Sequence, residues 1–239
     1  MMKPIRLAMS LATCSQATFV PASFVPAIFV PAILVIATFA LVILAFPTPV
    51  FGAGNGGQEM PPKGSVSEAD GLKAWQRIEA VVTHPRCSNC HVGADNIPMW
   101  SGPSFDRPRP HGMNVNAGVS RIGVGTLLCS TCHMTSTEPN DVPHAPPHVG
   151  LPWQLAPVEF AWFGKSGAEI CQQLKDPARN GGRDALGLIE HLRDDASHHG
   201  FVLWGWNPGG NREPVPGTLE VHIADVGLWG AAGQPCPPN

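Results

Sequence analysis

The sequence predicts a mainly α chain that is rich in loops, with short helices in its C-terminal part and a middle organised by something other than its own side chains. Three observations carry this. Apolar residues recur at helical spacing just after residue 67 and again after Ser166. Between Pro85 and Pro157 lie eleven prolines and little apolar periodicity, so this 73-residue stretch lacks the pattern of an ordinary core. Inside that stretch one short pattern of cysteines and histidine occurs twice.

Residues 1–53 read as an export signal or an N-terminal anchor. Lys3 and Arg6 are the only charges before Glu59, and a five-residue repeat (TFVPA, SFVPA, IFVPA, ILVIA) follows them. Pro21, Pro26 and Pro31 break any helix there. The proline-free apolar run is Ala32 to Phe46. As a helix it spans about 22 Å, short of a hydrocarbon core of about 30 Å. A basic start, a short apolar run and small residues near Gly52 and Ala53 suit a secretory signal. The whole apolar region is long for one, which keeps the anchor reading open. Cys14 belongs with this leader.

Residues 54–64 are rich in Gly and Pro and form a flexible lead-in. From Gly54 onward 13 basic residues face 18 acidic ones, a net charge near −5. With no basic run and no basic–aromatic interleaving, nucleic acid is not an expected partner. Ser67 is placed to cap a helix with Glu68 and Asp70 in its first turn, and Leu72, Trp75, Ile78 and Val82 give its apolar face. Pro85 stops it and delivers the chain to the first motif.

The two motifs are Cys87-Ser-Asn-Cys90-His91 and Cys129-Ser-Thr-Cys132-His133. C-x-x-C-H is the signature of covalent c-type haem attachment. Two intervening residues let one turn present both sulfurs to the two vinyl groups of a porphyrin. The next residue sets its imidazole under the iron. Residues 65–157 are therefore expected to be a dihaem-binding region, and the chain a loop-rich c-type cytochrome organised around two covalent haem c groups. Zinc fits less well: 38 residues separate the pairs, against about 15–20 in common zinc ribbons, and zinc does not call for His after both. A thioredoxin-like pair needs a βαβ setting that is not visible. Disulfides across two residues are usually strained or catalytic.

The proximal iron ligands are His91 and His133. Candidates for the opposite faces are His111 and Met113 in "RPHGMNV" and His144 and His148 in "DVPHAPPHVG". The preferred arrangement is bis-histidine, with His111 on one iron and His148 or His144 on the other. A methionine ligand would raise the potential. Met134 adjoins a proximal histidine and cannot reach the other face. His84 ends the first helix or meets a propionate. His191, His198 and His199 fall on a polar flank or loop, and His222 on an apolar helix face. Arg107, Arg109 and Arg121 are either propionate partners or plain surface charges.

Residues 158–239 form the helical C-terminal part of the same domain. Ser166-Gly-Ala-Glu169 is a capping box opening a helix that Asp176-Pro177 ends. "ARNGGRD" turns into a second helix through Leu186, Ile189 and Leu192. "WGWNPGGNREPVPGT" reads as loop, and Thr218 caps a last helix with Leu219, Ile223, Val226 and Trp229. Cys171 and Cys236 are either a disulfide, as an even pair in an exported chain suggests, or two unrelated buried thiols.

Together "HPRCSNCH", "RPHGMNV", "LLCSTCH", "GKSGAEICQQLKDPARNGGRD" and "WGWNPGGNREPVPGT" resemble a family of bacterial exported c-type cytochromes. These are often labelled as subunits accompanying isoquinoline 1-oxidoreductase-type molybdenum hydroxylases. The resemblance covers roughly residues 72–238. It implies a periplasmic electron carrier that takes electrons from a partner dehydrogenase or molybdenum hydroxylase and passes them to a respiratory acceptor. Where the family tends to read Trp-His-Leu-Ala-Pro, this chain has Trp153-Gln154-Leu155-Ala156-Pro157. If that histidine is a distal ligand in relatives, His148 or His144 replaces it here, or the second iron is open. An open iron would make the chain a dihaem enzyme, peroxidase-like or a small oxidoreductase. A haem sensor or assembly factor ranks last, because no signalling domain accompanies the motifs. A membrane is a partner only if the N-terminal segment is retained.

Overall fold

A computed structural model describes residues 60–101 and 107–238. The expected leader, 1–53, and most of the lead-in lie outside the described residues. The described chain is mainly helical with a few two-residue strands, and it falls within one unit. Among the described residues no helix is long and apolar enough to cross a membrane.

Helix α1 (Glu68–Val82) begins where expected: Ser67 Oγ accepts the Asp70 amide at 3.1 Å. Ala74, Trp75, Ile78, Val81 and Val82 form its buried face. Helix α3 (Gly167–Lys175) opens on the Ser166/Glu169 capping box and stops at Asp176 before Pro177. Helix α4 (Ala185–Ser197) is capped by Asp184, whose carboxylate accepts the Gly187 amide at 2.9 Å. Helix α6 (Leu219–Ala231) is capped by Thr218. These four helices share the main core, centred on Trp75, Ile78, Ile170, Ile189 and Trp229. The Trp75 and Trp229 rings lie 5.4 Å apart.

Two links tie this core together. Arg77 on α1 reaches Asp225 on α6 with both its Nε and Nη2, at 2.5–3.0 Å. Cys171 on α3 is joined to Cys236 beyond α6 by a disulfide with Cα atoms 5.7 Å apart. Gly71 marks where α1 passes the chain end most closely. A Cβ there would sit 2.4 Å from the Ala232 Cβ, so no larger residue fits without movement.

One helix was not expected. Phe201–Trp206, within and just before the segment read as loop, forms α5. Its start has no side-chain cap of its own. The buried Asp195 carboxylate reaches over from α4 and accepts the Phe201 and Val202 amides at 3.2 and 2.7 Å. Sequence windows look for caps beside the helix, and this one is six residues away.

No described residue of the proline-rich middle belongs to the main core. It holds two small apolar clusters instead. Val92, Ala117 and Leu155 pack with Cys90 and Met99, and Val149, Trp153 and Trp204 pack with Cys129, Leu151 and Phe201. Strands β1 (Met99–Trp100) and β2 (Arg109–Pro110) pair antiparallel, as do β3 (Gly123–Val124) and β4 (Leu127–Leu128). Gly123 has φ of +110°, and a Cβ there would lie 2.5 Å from the Leu127 carbonyl oxygen, so the tight hairpin leading to Cys129 requires glycine.

Arg121 is not the plain surface charge that one of its two readings allowed. It is 8% exposed. Its guanidinium donates to the carbonyls of Val92, Gly93 and Ala156 and to Asn96 Oδ1, all at 2.8–3.0 Å. It is a clamp inside the loop region, fastening the chain just after His91 to the chain just after Leu155.

Candidate haem-attachment sites

Each C-x-x-C-H motif is wound into a single turn. In the first, helix α2 (Pro85–Ser88) starts with His84, whose Nδ1 accepts the Arg86 amide at 3.2 Å. His84 thus caps the motif's own turn rather than ending α1. The Cys90 and His91 amides both return to the Cys87 carbonyl, at 3.2 and 3.3 Å. The second motif repeats this: the Cys132 and His133 amides return to the Cys129 carbonyl at 3.2 and 3.0 Å. The C-x-x-C-H spacing is what allows it, since positions one, four and five of a turn share a side.

The two motif histidines are held alike. His91 Nδ1 lies 2.8 Å from the Phe160 carbonyl, and His133 Nδ1 lies 3.1 Å from the Pro147 carbonyl. A carbonyl oxygen only accepts, so Nδ1 carries the proton in both rings and Nε2 keeps its lone pair. That is the tautomer a metal-bound histidine adopts, with its second nitrogen anchored to the backbone. Each ring also lies flat on an indole. His91 stacks on Trp162 at 3.5 Å with parallel planes, and His133 on Trp153 at 4.2 Å with planes 14° apart. Burial pushes both imidazoles down to about 4, against the opposing pull of their carbonyl bonds, so both are neutral at physiological pH.

The four motif cysteines are free thiols, with Cys132 exposed and the others half-buried. Burial pushes Cys87 up to about 12 and Cys90 up to about 11, so both stay protonated. Among the described residues no three or more His, Cys, Asp or Glu converge as a site for a bare metal ion. A haem iron asks less of a protein, because the porphyrin supplies four nitrogens and the chain only the axial ligands. Two free thiols and one fixed neutral imidazole on a single turn, present twice, fit that group.

Aromatic packing ties the second motif to the first. Trp153, under His133, meets Trp204 edge-on at 5.9 Å. The Arg86 guanidinium, next to Cys87, lies 5.7 Å over the Trp204 ring and donates to the Glu213 carbonyl at 3.1 Å. Trp162 is fixed in turn by its Nε1, which donates to Gln173 Oε1 at 2.6 Å.

The four distal candidates separate. His111 follows β2, and its ring centre is 6.1 Å from that of His133. His148 is half-buried, with Nε2 3.4 Å from Asn140 Nδ2. His144 is exposed on a turn at φ +62°, and Met113 is 70% exposed at φ +60°. Gln154 is exposed. His222 is buried on α6, as its apolar face implied. The sequence reading missed Trp153 and Trp162 as ring supports. Their type was visible, but their pairing depends on the chain returning from far away, 71 residues in the case of His91 and Trp162. Comparisons of the chain with protein-family models, curated proteins and solved structures found no match.

Proposed function

We propose that this chain is an exported dihaem c-type cytochrome that carries electrons between a partner oxidoreductase and a respiratory acceptor. The observation that supports it best is the repetition of one complete arrangement: two free thiols on a turn, and a histidine fixed through Nδ1 on a carbonyl and stacked on tryptophan. Cys87 and Cys90 hold one haem and Cys129 and Cys132 the other. When haem is bound, each S–H would add across a vinyl C=C, sulfur to one carbon and hydrogen to its neighbour, with no leaving group and no net oxidation. His91 and His133 present Nε2 to the irons. Phe160 and Pro147 keep the tautomer, and Trp162 and Trp153 keep each ring from turning. Bound haem supplies a reversible one-electron couple.

Rigid ligands suit such a carrier, because little then has to reorganise when the charge on iron changes. The reading takes the chain as periplasmic, in keeping with the apolar segment at 1–53 read as an export signal. A molybdenum hydroxylase as electron donor rests on the family resemblance alone. The test is a reduced-minus-oxidised spectrum together with an intact mass of the exported protein. Two haems per chain that survive denaturation are expected. A colourless protein with four titratable thiols in the motifs overturns the proposal. Two low-spin haems inert to peroxide support the carrier, whereas a peroxide-reactive high-spin haem would make the chain a dihaem enzyme.

A further inference from the structure

We infer that His111 is the second axial ligand of the iron held by His133, so that the haem of the second motif is bis-histidine ligated by residues on either side of its attachment point. The inference rests on the dihaem reading above and assigns a ligand that reading leaves open.

Four observations carry it. The His111 and His133 ring centres are 6.1 Å apart. An iron bonded to one nitrogen of each of two imidazoles, at about 2 Å, sets their ring centres about 6 Å apart. The rings are inclined at 58°, and two axial imidazoles would not need to share a plane. Next, His111 Nδ1 lies 2.9 Å from the Gly112 carbonyl. It is therefore the protonated nitrogen, and Nε2 carries the lone pair, as in His91 and His133. Thirdly, the backbone holds the ring in place: the His111 amide donates to the Pro98 carbonyl at 2.8 Å, directly after the β1–β2 pairing. Lastly, the competitor is engaged elsewhere. His148 also approaches His133, but its Nε2 faces the Asn140 amide at 3.4 Å, and Asn140 is itself tied to the Pro146 carbonyl.

The consequence is an asymmetric pair. His111 and His148 gather around the second motif rather than being shared between the two, so the first iron does not draw its distal ligand from His111. Axial ligands set the potential, so the two haems are expected to titrate separately.

The test uses the full-length exported dihaem protein and its His111→Ala variant, followed by electron paramagnetic resonance and optical spectra. Half of the haem is expected to become high-spin and to bind carbon monoxide, and added imidazole is expected to restore the low-spin signal. His111→Met should stay low-spin with one potential raised, and His148→Ala should leave both haems unchanged. Two single-haem variants, Cys87→Ser/Cys90→Ser and Cys129→Ser/Cys132→Ser, identify the iron. His111→Ala must alter only the one that keeps the second motif. If these variants fail to fold, the paramagnetically shifted ring signals of His111 and His133 in the native protein must report on one and the same haem. An unchanged spectrum in His111→Ala, or an effect confined to the first haem, overturns the inference while leaving the dihaem reading intact. Absence of haem from the parent protein overturns that reading itself.

Discussion

Replacing Arg121 by methionine separates a structural clamp from a haem-propionate partner. The side chain is nearly isosteric in its stem but has no donors. Four acceptors lose a partner: the Val92, Gly93 and Ala156 carbonyls and Asn96 Oδ1. Only the Val92 carbonyl lies in a fully buried contact, and leaving it unsatisfied costs about 1–3 kcal/mol. The other three can turn to water, and each loses about 0.5–1.5 kcal/mol. Against this stands relief from burying a guanidinium, whose pKa burial pushes below its ordinary value. A net loss of about 3 kcal/mol results, or about 6–12 °C in Tm for a fold of this size. Lysine cannot reach four acceptors arranged around a planar fork and should restore little. The measurement is thermal and urea unfolding of the haem-loaded protein by circular dichroism, with the redox potentials recorded alongside. Because Val92 and Gly93 directly follow His91, the first haem should also lose spectral homogeneity. A methionine variant within about 0.5 kcal/mol of the parent, but with a shifted haem potential, would show that Arg121 acts on a propionate and that the clamp argument is wrong.

Two further outcomes follow from the helical core. Opening the Cys171–Cys236 bridge, which closes a loop of 64 intervening residues, should cost about 4 kcal/mol by loop entropy. Cys171→Ser/Cys236→Ser unfolding at a urea midpoint equal to the parent's would contradict that. His222 is buried on α6, its Nδ1 without a hydrogen-bond partner among the described residues and its ring 5.4 Å from Trp206. Burial lowers its pKa from 6.5 to about 4, opposed only by Asp225. The unfolded chain therefore takes up this proton first. Its contribution to stability is in place above pH 6.5 and is lost as pH falls toward 4, by about 3 kcal/mol in total. Urea titrations between pH 7 and pH 4 should show a shallower acid loss in His222→Leu, and an identical slope would assign the acid sensitivity to other groups.

The starts of α1, α3 and α6 were readable from their caps, and the stops of α1 and α3 from the prolines that follow them. Ser67, Ser166, Asp184 and Thr218 all cap the helices that follow them, because a cap is a bond closed within three residues. Helix α5 escaped for the complementary reason: its amides are satisfied by Asp195, on another helix. Arg121 shows the same limit in a loop. A basic residue between two C-x-x-C-H motifs suggests a propionate partner, and nothing in its neighbours along the chain reveals that four acceptors have already closed around it.

The motifs themselves are local chemistry. Two thiols and an imidazole within five residues wind into one turn wherever that turn sits, so the chain alone already specified both attachment points and both proximal histidines as candidates. The surroundings of each histidine came from elsewhere in the chain. Phe160 is 69 residues from the ring it anchors, and Trp162, Trp153 and His111 reach their partners by loop paths with no periodicity to announce them. Proline-rich loops owe their course to where their backbone bonds can be satisfied, and that depends on every other segment having arrived. Tautomer, ring support and the nearness of His111 to His133 therefore belong to the folded molecule.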